Sequence, residues 1–422
     1  MARRLLHARY QQRVADRDRR FLLLFALANA GGVVAYAPLL TLILPERISE
    51  LAGDARIEWL GAVAFFGAIG ASVGNILFGW ASDVVGGRRA WMAAGLGLTV
   101  ASYVLIFVAD TKFEIVTAVV IYQLVLNMLL APMTAWAADK VPDADKGLLG
   151  GFLAAGPPIG ALAGVIATAP LLKMEWSQFA ITCLLIGMLT LPLLVGGPSP
   201  IRPGETPATQ RRSKLRVDFA IIWTARLLVQ IAGAVLFVFL LYFFQSLPER
   251  VSQSQVAWIS ALTLLVAFPL TLVLGRVSDR LGPRKPFLAG SAITAAAGLA
   301  IMASGTDLPR AVAGYALFSC STAIFLSLHS AYALQLLPSP KRRGRDMGIM
   351  NLTNTLPAIV APVLAIWLVP GRGFGPLLGV LAGALIVAAI CVLLVRTDAQ
   401  RIGAQHRGLT RRREGLGSAM ID

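Results

Sequence analysis

Arg226 and His329 are the side chains of this sequence best placed to do chemistry inside apolar surroundings. Arg226 stands about seven residues into an apolar run, with Gln230 and Gly233 at i+4 and i+7 on the same helical face. A guanidinium carries a permanent charge and five donors in a fixed fork, which suits a small anion or a polar solute. His329 sits in the middle of another run, with Thr322 seven residues before it and Tyr332 three after. Imidazole exchanges a proton near neutral pH without a large perturbation, so His329 is the candidate for proton coupling. The competing readings are structural: an Arg stem reaching back to lipid headgroups, and a His satisfied in packing. Acids are weaker candidates, because all 22 Asp and Glu fall near the end of a run, in a loop or in a tail, Glu58 and Asp139 among them.

Enzyme chemistry is not offered. His7, His329 and His406 are far apart and no mid-run acid accompanies them, so neither a nucleophile–base pair nor a metal site is expected. Cys183, Cys320 and Cys391 lie in apolar runs at unrelated spacings and read as small packing residues. No Gly-x-x-x-x-Gly-Lys-Ser/Thr occurs, which argues against a nucleotide-driven pump. No cofactor is expected.

The elements that carry these residues are membrane helices. The chain is 57% hydrophobic and 14% charged, too little charge to cover a soluble protein of 422 residues. Apolar stretches long enough to cross a bilayer recur throughout. Twelve spans are expected, near 21–44, 58–80, 90–109, 114–138, 148–172, 177–196, 218–244, 254–276, 287–305, 310–337, 347–370 and 376–396. With the N-terminus inside, 30 of the 38 Lys and Arg fall on the cytoplasmic side, seven fall outside, and Arg226 lies within a span. That asymmetry places both termini in the cytoplasm, in an inner-membrane protein. The net charge of +16 is then a topology signal that also favours anionic lipid, and nucleic-acid binding is not expected. An Arg-rich start before a long first run argues against a cleaved secretory signal.

The chain also repeats itself. Leu44-Pro45-Glu46-Arg47-Ile48-Ser49 returns as Leu247-Pro248-Glu249-Arg250-Val251-Ser252, after spans 1 and 7. Gly79-Trp80-Ala81-Ser82-Asp83-Val84-Val85-Gly86-Gly87-Arg88-Arg89 returns as Gly275-Arg276-Val277-Ser278-Asp279-Arg280-Leu281-Gly282-Pro283-Arg284-Lys285, after spans 2 and 8. Val141-Pro142 with Lys146-Gly147 is echoed by Leu337-Pro338 with Arg343-Gly344, after spans 4 and 10. Both copies sit on one side of the membrane, so the repeat is parallel. The expected organisation is a basic tail over 1–20, a six-helix bundle over 21–196, a Pro-rich linker over 197–217, a second bundle over 218–396 and a basic tail over 397–422.

The paired Gly-x-x-x-Asp-(Arg)-x-Gly-x-Arg-(Arg/Lys) loops resemble the signature of the major facilitator superfamily. Val84 stands where that signature usually has an Arg. Residues Arg345 to Pro357, and Thr224 to Phe244, more loosely resemble bacterial relatives of the sucrose/proton and glycoside–pentoside–hexuronide symporters. Gln123 and Asn127 replace the Arg that drug antiporters carry in span 4, whereas Gly156-Pro157-Pro158-Ile159-Gly160-Ala161 partly matches an antiporter motif.

The resemblance implies an all-α membrane protein of two parallel, pseudo-symmetric six-helix bundles. It also implies a cytoplasmic gate: Asp83 would meet the start of span 11 and Asp279 the start of span 5, with Arg88, Arg89, Arg280, Arg284 and Lys285 in the network. Spans 1, 4, 7 and 10 would line a central cavity with Asn29, Gly32 and Tyr36; Gln123 and Asn127; Arg226, Gln230 and Phe237; and Thr322, His329 and Tyr332. Amides, rings and hydroxyls suit a sugar-like solute, and one Arg would also suit a small organic anion. The expected function is secondary transport of a small molecule by a monomer, coupled to protons or uncoupled. A proton-driven exporter of hydrophobic compounds and a non-transporting sensor or assembly factor on the same fold are the alternatives.

Overall fold

The computed structural model describes residues 2–141, 149, 152–171, 174–196, 216–249, 251–281, 284–305, 307–335 and 343–395. The linker up to residue 215, and the C-terminal tail from 397 onward, lie outside the described residues. Among the described residues the longer helices follow in order: α1 (Ala2–Pro38), α2 (Arg56–Val85), α3 (Arg88–Val108), α4 (Lys112–Lys140), α5 (Gly156–Ala167), α6 (Glu175–Gly196), α7 (Arg216–Gln245), α8 (Gln253–Leu281), α9 (Lys285–Ser304), α10 (Leu308–Gln335), α11 (Arg343–Leu368) and α12 (Gly375–Leu394). Among the described residues, nine helical stretches are long and apolar enough to cross a membrane. The first, Arg20–Val85, covers both α1 and α2, and Gly156–Ala167 and Leu352–Leu368 are shorter apolar helices.

Local sequence sets the helix ends. Pro38 has no N–H to return to the preceding turn, and the chain passes there into a π-helical turn, Leu39–Ile43. A short helix, Leu44–Ala52, continues from it, so the first copy of the Leu-Pro-Glu-Arg repeat is helical. In the second copy α7 ends at Gln245 and α8 begins at Gln253, so the described residues of the motif lie between the two helices. Gly86 and Gly87 carry φ of 74° and 67°, a conformation that a side chain resists, and they turn the chain from α2 into α3. Thr111 and Glu114 form a reciprocal capping box at the start of α4.

The packing repeats as the sequence does. In the first half α1 packs on α5 and α6, α4 on α2 and α3, and α3 on α6. In the second half α7 packs on α11 and α12, α10 on α8 and α9, and α9 on α12. The halves meet along α2 with α11 and α5 with α8, which are equivalent pairs under the same repeat.

Glycine permits the tightest approaches inside each half. A Cβ on Gly95 of α3 would stand 2.5 Å from the Leu129 backbone nitrogen of α4. A Cβ on Gly298 of α9 would stand 2.6 Å from backbone atoms of Gly314 and Phe318 in α10. Helices in lipid gain little from apolar burial against one another, so close backbone packing of this kind carries the association. Large exposed apolar side chains such as Ile76, Trp80, Val195, Trp367 and Leu394 suit a hydrocarbon environment.

Candidate substrate site

Arg226 is half-buried on the inner side of α7 and reaches into the second half, towards α10 and α11. Its Nε donates to Thr353 Oγ1 at 3.0 Å, its Nη1 to Ser330 Oγ at 3.1 Å, and its Nη2 to Asn354 Oδ1 at 3.2 Å. Nη1 also lies 3.4 Å from Nδ1 of His329. Gln230 Nε2 donates to the same Asn354 oxygen at 2.8 Å. Each acceptor here is neutral, and among the described residues no carboxylate pairs with this guanidinium. The stem does not snorkel; side chains of two neighbouring helices hold the head.

His329 is fully buried, and both of its ring nitrogens are engaged. Nε2 lies 2.9 Å from the carbonyl oxygen of Ile222, which can only accept, so Nε2 carries the proton. Nδ1 is then the bare nitrogen that receives the Arg226 N–H. Phe325 stacks on the ring at 5.6 Å. A second proton at Nδ1 would set N–H against N–H beside a fixed positive charge. That geometry favours His329 as a positioning residue for Arg226 and disfavours it as a proton carrier.

Gly233 continues the Arg226–Gln230 face one turn further along α7, and a Cβ built there meets nothing within 4 Å. The open space therefore continues beyond the polar cluster. At its far end the Tyr36 ring of α1 meets the Phe237 ring of α7 at 6.0 Å, joining the two halves. Phe237 is eleven residues beyond Arg226, about 16 Å along the axis.

Of the other expected lining residues, Asn127 lies against the first half's own polar atoms. Its Nδ2 donates to the Gln123 carbonyl oxygen at 2.8 Å, and its Oδ1 accepts from Asn75 Nδ2 at 3.3 Å. Asn29 stands close to Gly156 of α5. Thr322 is buried and bonds back to the Ser319 carbonyl oxygen, away from the Arg226 cluster. Tyr332 is half-buried on α10. Gly32 packs against α4, where a Cβ built on it would stand 2.5 Å from Leu130 Cδ2.

Sequence reasoning missed Ser330, Thr353, Asn354 and Asn75, three of them on α11 and α2, helices outside the expected lining set. The polar run Asn351-Leu352-Thr353-Asn354-Thr355 within an apolar span was the available signal.

Beyond the Tyr36–Phe237 contact, the halves are tied at the end away from the chain termini. Tyr242 Oη donates to the Pro45 carbonyl oxygen at 2.8 Å, and Gln245 Nε2 to Glu46 Oε2 at 2.8 Å. Gln253 Nε2 donates to the Leu42 carbonyl oxygen at 3.0 Å, and the Arg56 guanidinium lies over the Tyr242 ring at 5.0 Å. The π-helical turn and short helix after α1 present these backbone oxygens to α7 and α8.

The expected gate residues lie at the opposite end. Asp83 binds Arg88 of its own loop at 2.8 Å and its side chain is 60% exposed. Arg89 lies over the Trp136 ring at 5.3 Å. Lys285 Nζ donates to the Leu393 carbonyl oxygen at 2.9 Å and also to that of Val395, at the negative end of α12. Arg280 is exposed and Arg284 half-buried, and the Asp279 side chain lies outside the described residues.

Comparison with known proteins agrees with this architecture. The structure is similar to the nucleoside transporter NupG, with a TM-score of 0.68 and 16% identity over 89% of this chain and 100% of that one. It is also similar to a D-xylose–proton symporter, with a TM-score of 0.63 and 18% identity over 90% and 97%. The human organic anion transporter MFSD10 superposes with a TM-score of 0.56 and 18% identity over 89% and 99%. In sequence, the chain is 26% identical over 175 residues to MFS-type transporter 1 of Ophiocordyceps sp. (strain BCC 1869), a match that spans 41% of this chain and 38% of that protein. The sequence profile of the Major Facilitator Superfamily, a group of membrane transporters rather than enzymes, matches residues 21–249 and 248–416. With two equivalent six-helix halves, a shared inner face and a family match along nearly its whole length, the chain belongs to the Major Facilitator Superfamily.

Proposed function

We propose that this protein is a secondary transporter that moves a small polar solute by alternating access. Arg226, Gln230, Ser330 and Asn354 hold the solute's polar end in this reading. The Arg226 cluster carries it. Polar side chains at membrane depth are costly unless they face one another, a cavity or water. Here they converge beside the open face at Gly233, beneath the Tyr36–Phe237 contact. The ties across the far end of the halves fit a state closed on that side, and rocking the halves about the site would break them.

The Lys/Arg bias supports assigning the end with both termini to the cytoplasm of an inner-membrane protein. The two Asp-bearing loops then lie where a cytoplasmic gate would close, and a monomer encloses the whole path. Proton coupling remains part of the proposal, with Glu58 as its candidate carboxylate in place of His329. One oxygen of Glu58 is buried without a hydrogen-bond partner among the described residues, three residues before the glycine where α2 meets Pro362 and Ile366 of α11.

The test is flux in proteoliposomes holding the full chain, with a panel of labelled sugars, polyols, organic acids and lipophilic cations. Uptake of a polar solute that falls in both Arg226→Gln and Gly233→Phe, with both variants folded, supports the proposal. Flux confined to lipophilic cations, or no flux of any solute, overturns it.

A further inference from the structure

We infer that the solute is a small organic monoanion, a monocarboxylate, whose charge is the counter-charge that Arg226 lacks among the described residues. The inference rests on reading the Arg226 cluster as the substrate site and adds the solute's chemical class.

The donors can be followed one at a time. Of five N–H groups on the guanidinium, the Nε proton goes to Thr353, and the two on Nη1 to Ser330 and His329. One Nη2 proton goes to Asn354. The second Nη2 proton has no acceptor among the described residues. These contacts fix the plane of the guanidinium against two neighbouring helices, yet every one of them is to a neutral group. The side chain is therefore rigidly held while no carboxylate among the described residues compensates its unit charge. Such a charge is strongly unfavourable unless water solvates it or a ligand supplies the missing anion.

Gln230 extends the same point. Its Nε2 and the Arg226 Nη2 both donate to one oxygen, Asn354 Oδ1, so the two nitrogens lie within about 6 Å of each other. Each has one further N–H to offer. Two donors at that spacing match the two oxygens of a carboxylate, one bond of the pair being charge-assisted. A neutral sugar would leave the Arg226 charge unbalanced whether the site was full or empty. A dianion would balance it and bring in a second charge among amides and hydroxyls that cannot neutralise it. The open face at Gly233 leaves space beyond the carboxylate for the rest of the solute.

Asn354 provides a perturbation of that charge balance. Asn354→Asp is close in size and keeps an acceptor for both Arg226 and Gln230, but places a permanent carboxylate against the guanidinium. The protein then supplies its own counter-charge and a solute carboxylate meets repulsion.

The experiment is thermal stabilisation of the full-length protein in nanodiscs. The probes are gluconate, glucose and glucarate, which share a skeleton and differ in charge, together with lactate, succinate, chloride and phosphate. Gluconate or lactate at millimolar concentration is expected to raise the melting midpoint, with glucose, glucarate and the inorganic ions giving smaller shifts or none. Arg226→Gln and Asn354→Asp, each monodisperse and helical, are expected to weaken that binding about tenfold or more, the weight of a hydrogen bond to a charged group. If Arg226→Gln does not fold, Asn354→Asp and Gln230→Leu carry the test.

Stabilisation by glucose and by no monocarboxylate, lost in Arg226→Gln, overturns the anion class and leaves the substrate site standing. Binding that none of the folded variants alters overturns the site as well. Stabilisation by chloride or phosphate alone, monocarboxylate binding unchanged in Asn354→Asp, or no shift with any probe overturns the inference.

Discussion

Nη1 of Arg226 stands 3.4 Å from Nδ1 of His329, and the other nitrogen of that ring lies 2.9 Å from the Ile222 carbonyl oxygen. The imidazole is thus a neutral link between the α7 backbone and the α7 guanidinium, mounted on α10. Gln can reproduce both roles, accepting with its oxygen and donating with its amide. His329→Gln should keep initial transport rates within about threefold of wild type, whereas His329→Leu should lower them about tenfold by leaving two polar groups unmatched. The pH profile of uptake should be the same in wild type and His329→Gln. A flattened profile with the rate retained would return the proton to His329.

The Tyr242–Pro45 bond predicts a shift in conformation. Removing one such bond changes a two-state balance by about 0.5–1.5 kcal/mol, roughly two- to tenfold in population. Tyr242→Phe should therefore open the far end, and Tyr242→Phe with Gln245→Leu should open it further. Distance distributions between spin labels placed at the far ends of α1 and α7 would register this as growth of the longer component.

Two glycines should respond in opposite ways to the same added methyl. At Gly298 a Cβ would collide with the α10 backbone, so Gly298→Ala should destabilise by ~1–3 kcal/mol. At Gly233 nothing opposes a Cβ, and replacing a mid-helix Gly by Ala favours the helix by ~1 kcal/mol. Melting midpoints measured side by side should fall for Gly298→Ala and hold or rise for Gly233→Ala.

The loop aspartates should affect rate more than assembly. Asp83 is exposed and paired within its own loop, so Asp83→Asn should insert and melt like wild type. Uptake in proteoliposomes should fall in Asp83→Asn and in Asp279→Asn if both carboxylates serve the proposed gate. Unchanged initial rates in both would remove that role.

Much of this protein was determined by sequence alone. Apolar runs of bilayer length leave the backbone no partner but itself, so the chain must be helical wherever it crosses. The duplicated motifs set α2 against α8 and α3 against α9, and the packing follows that correspondence. The i, i+4, i+7 spacing by itself puts Arg226, Gln230 and Gly233 on one face.

Tertiary structure alone decided which helices meet that face. Thr353 and Asn354 lie more than 120 residues from Arg226, and nothing in local spacing links them. It likewise decided that His329 has both nitrogens engaged, because its partners come from another helix, one of them a backbone carbonyl that no motif records. The Leu-Pro-Glu-Arg repeat makes the same point, helical in one copy and lying between two helices in the other. In the first, the π-helical turn after Pro38 lets the chain stay wound; in the second, the same residues link α7 to α8. Local propensity was nearly equal in the two copies, and the neighbours made the choice.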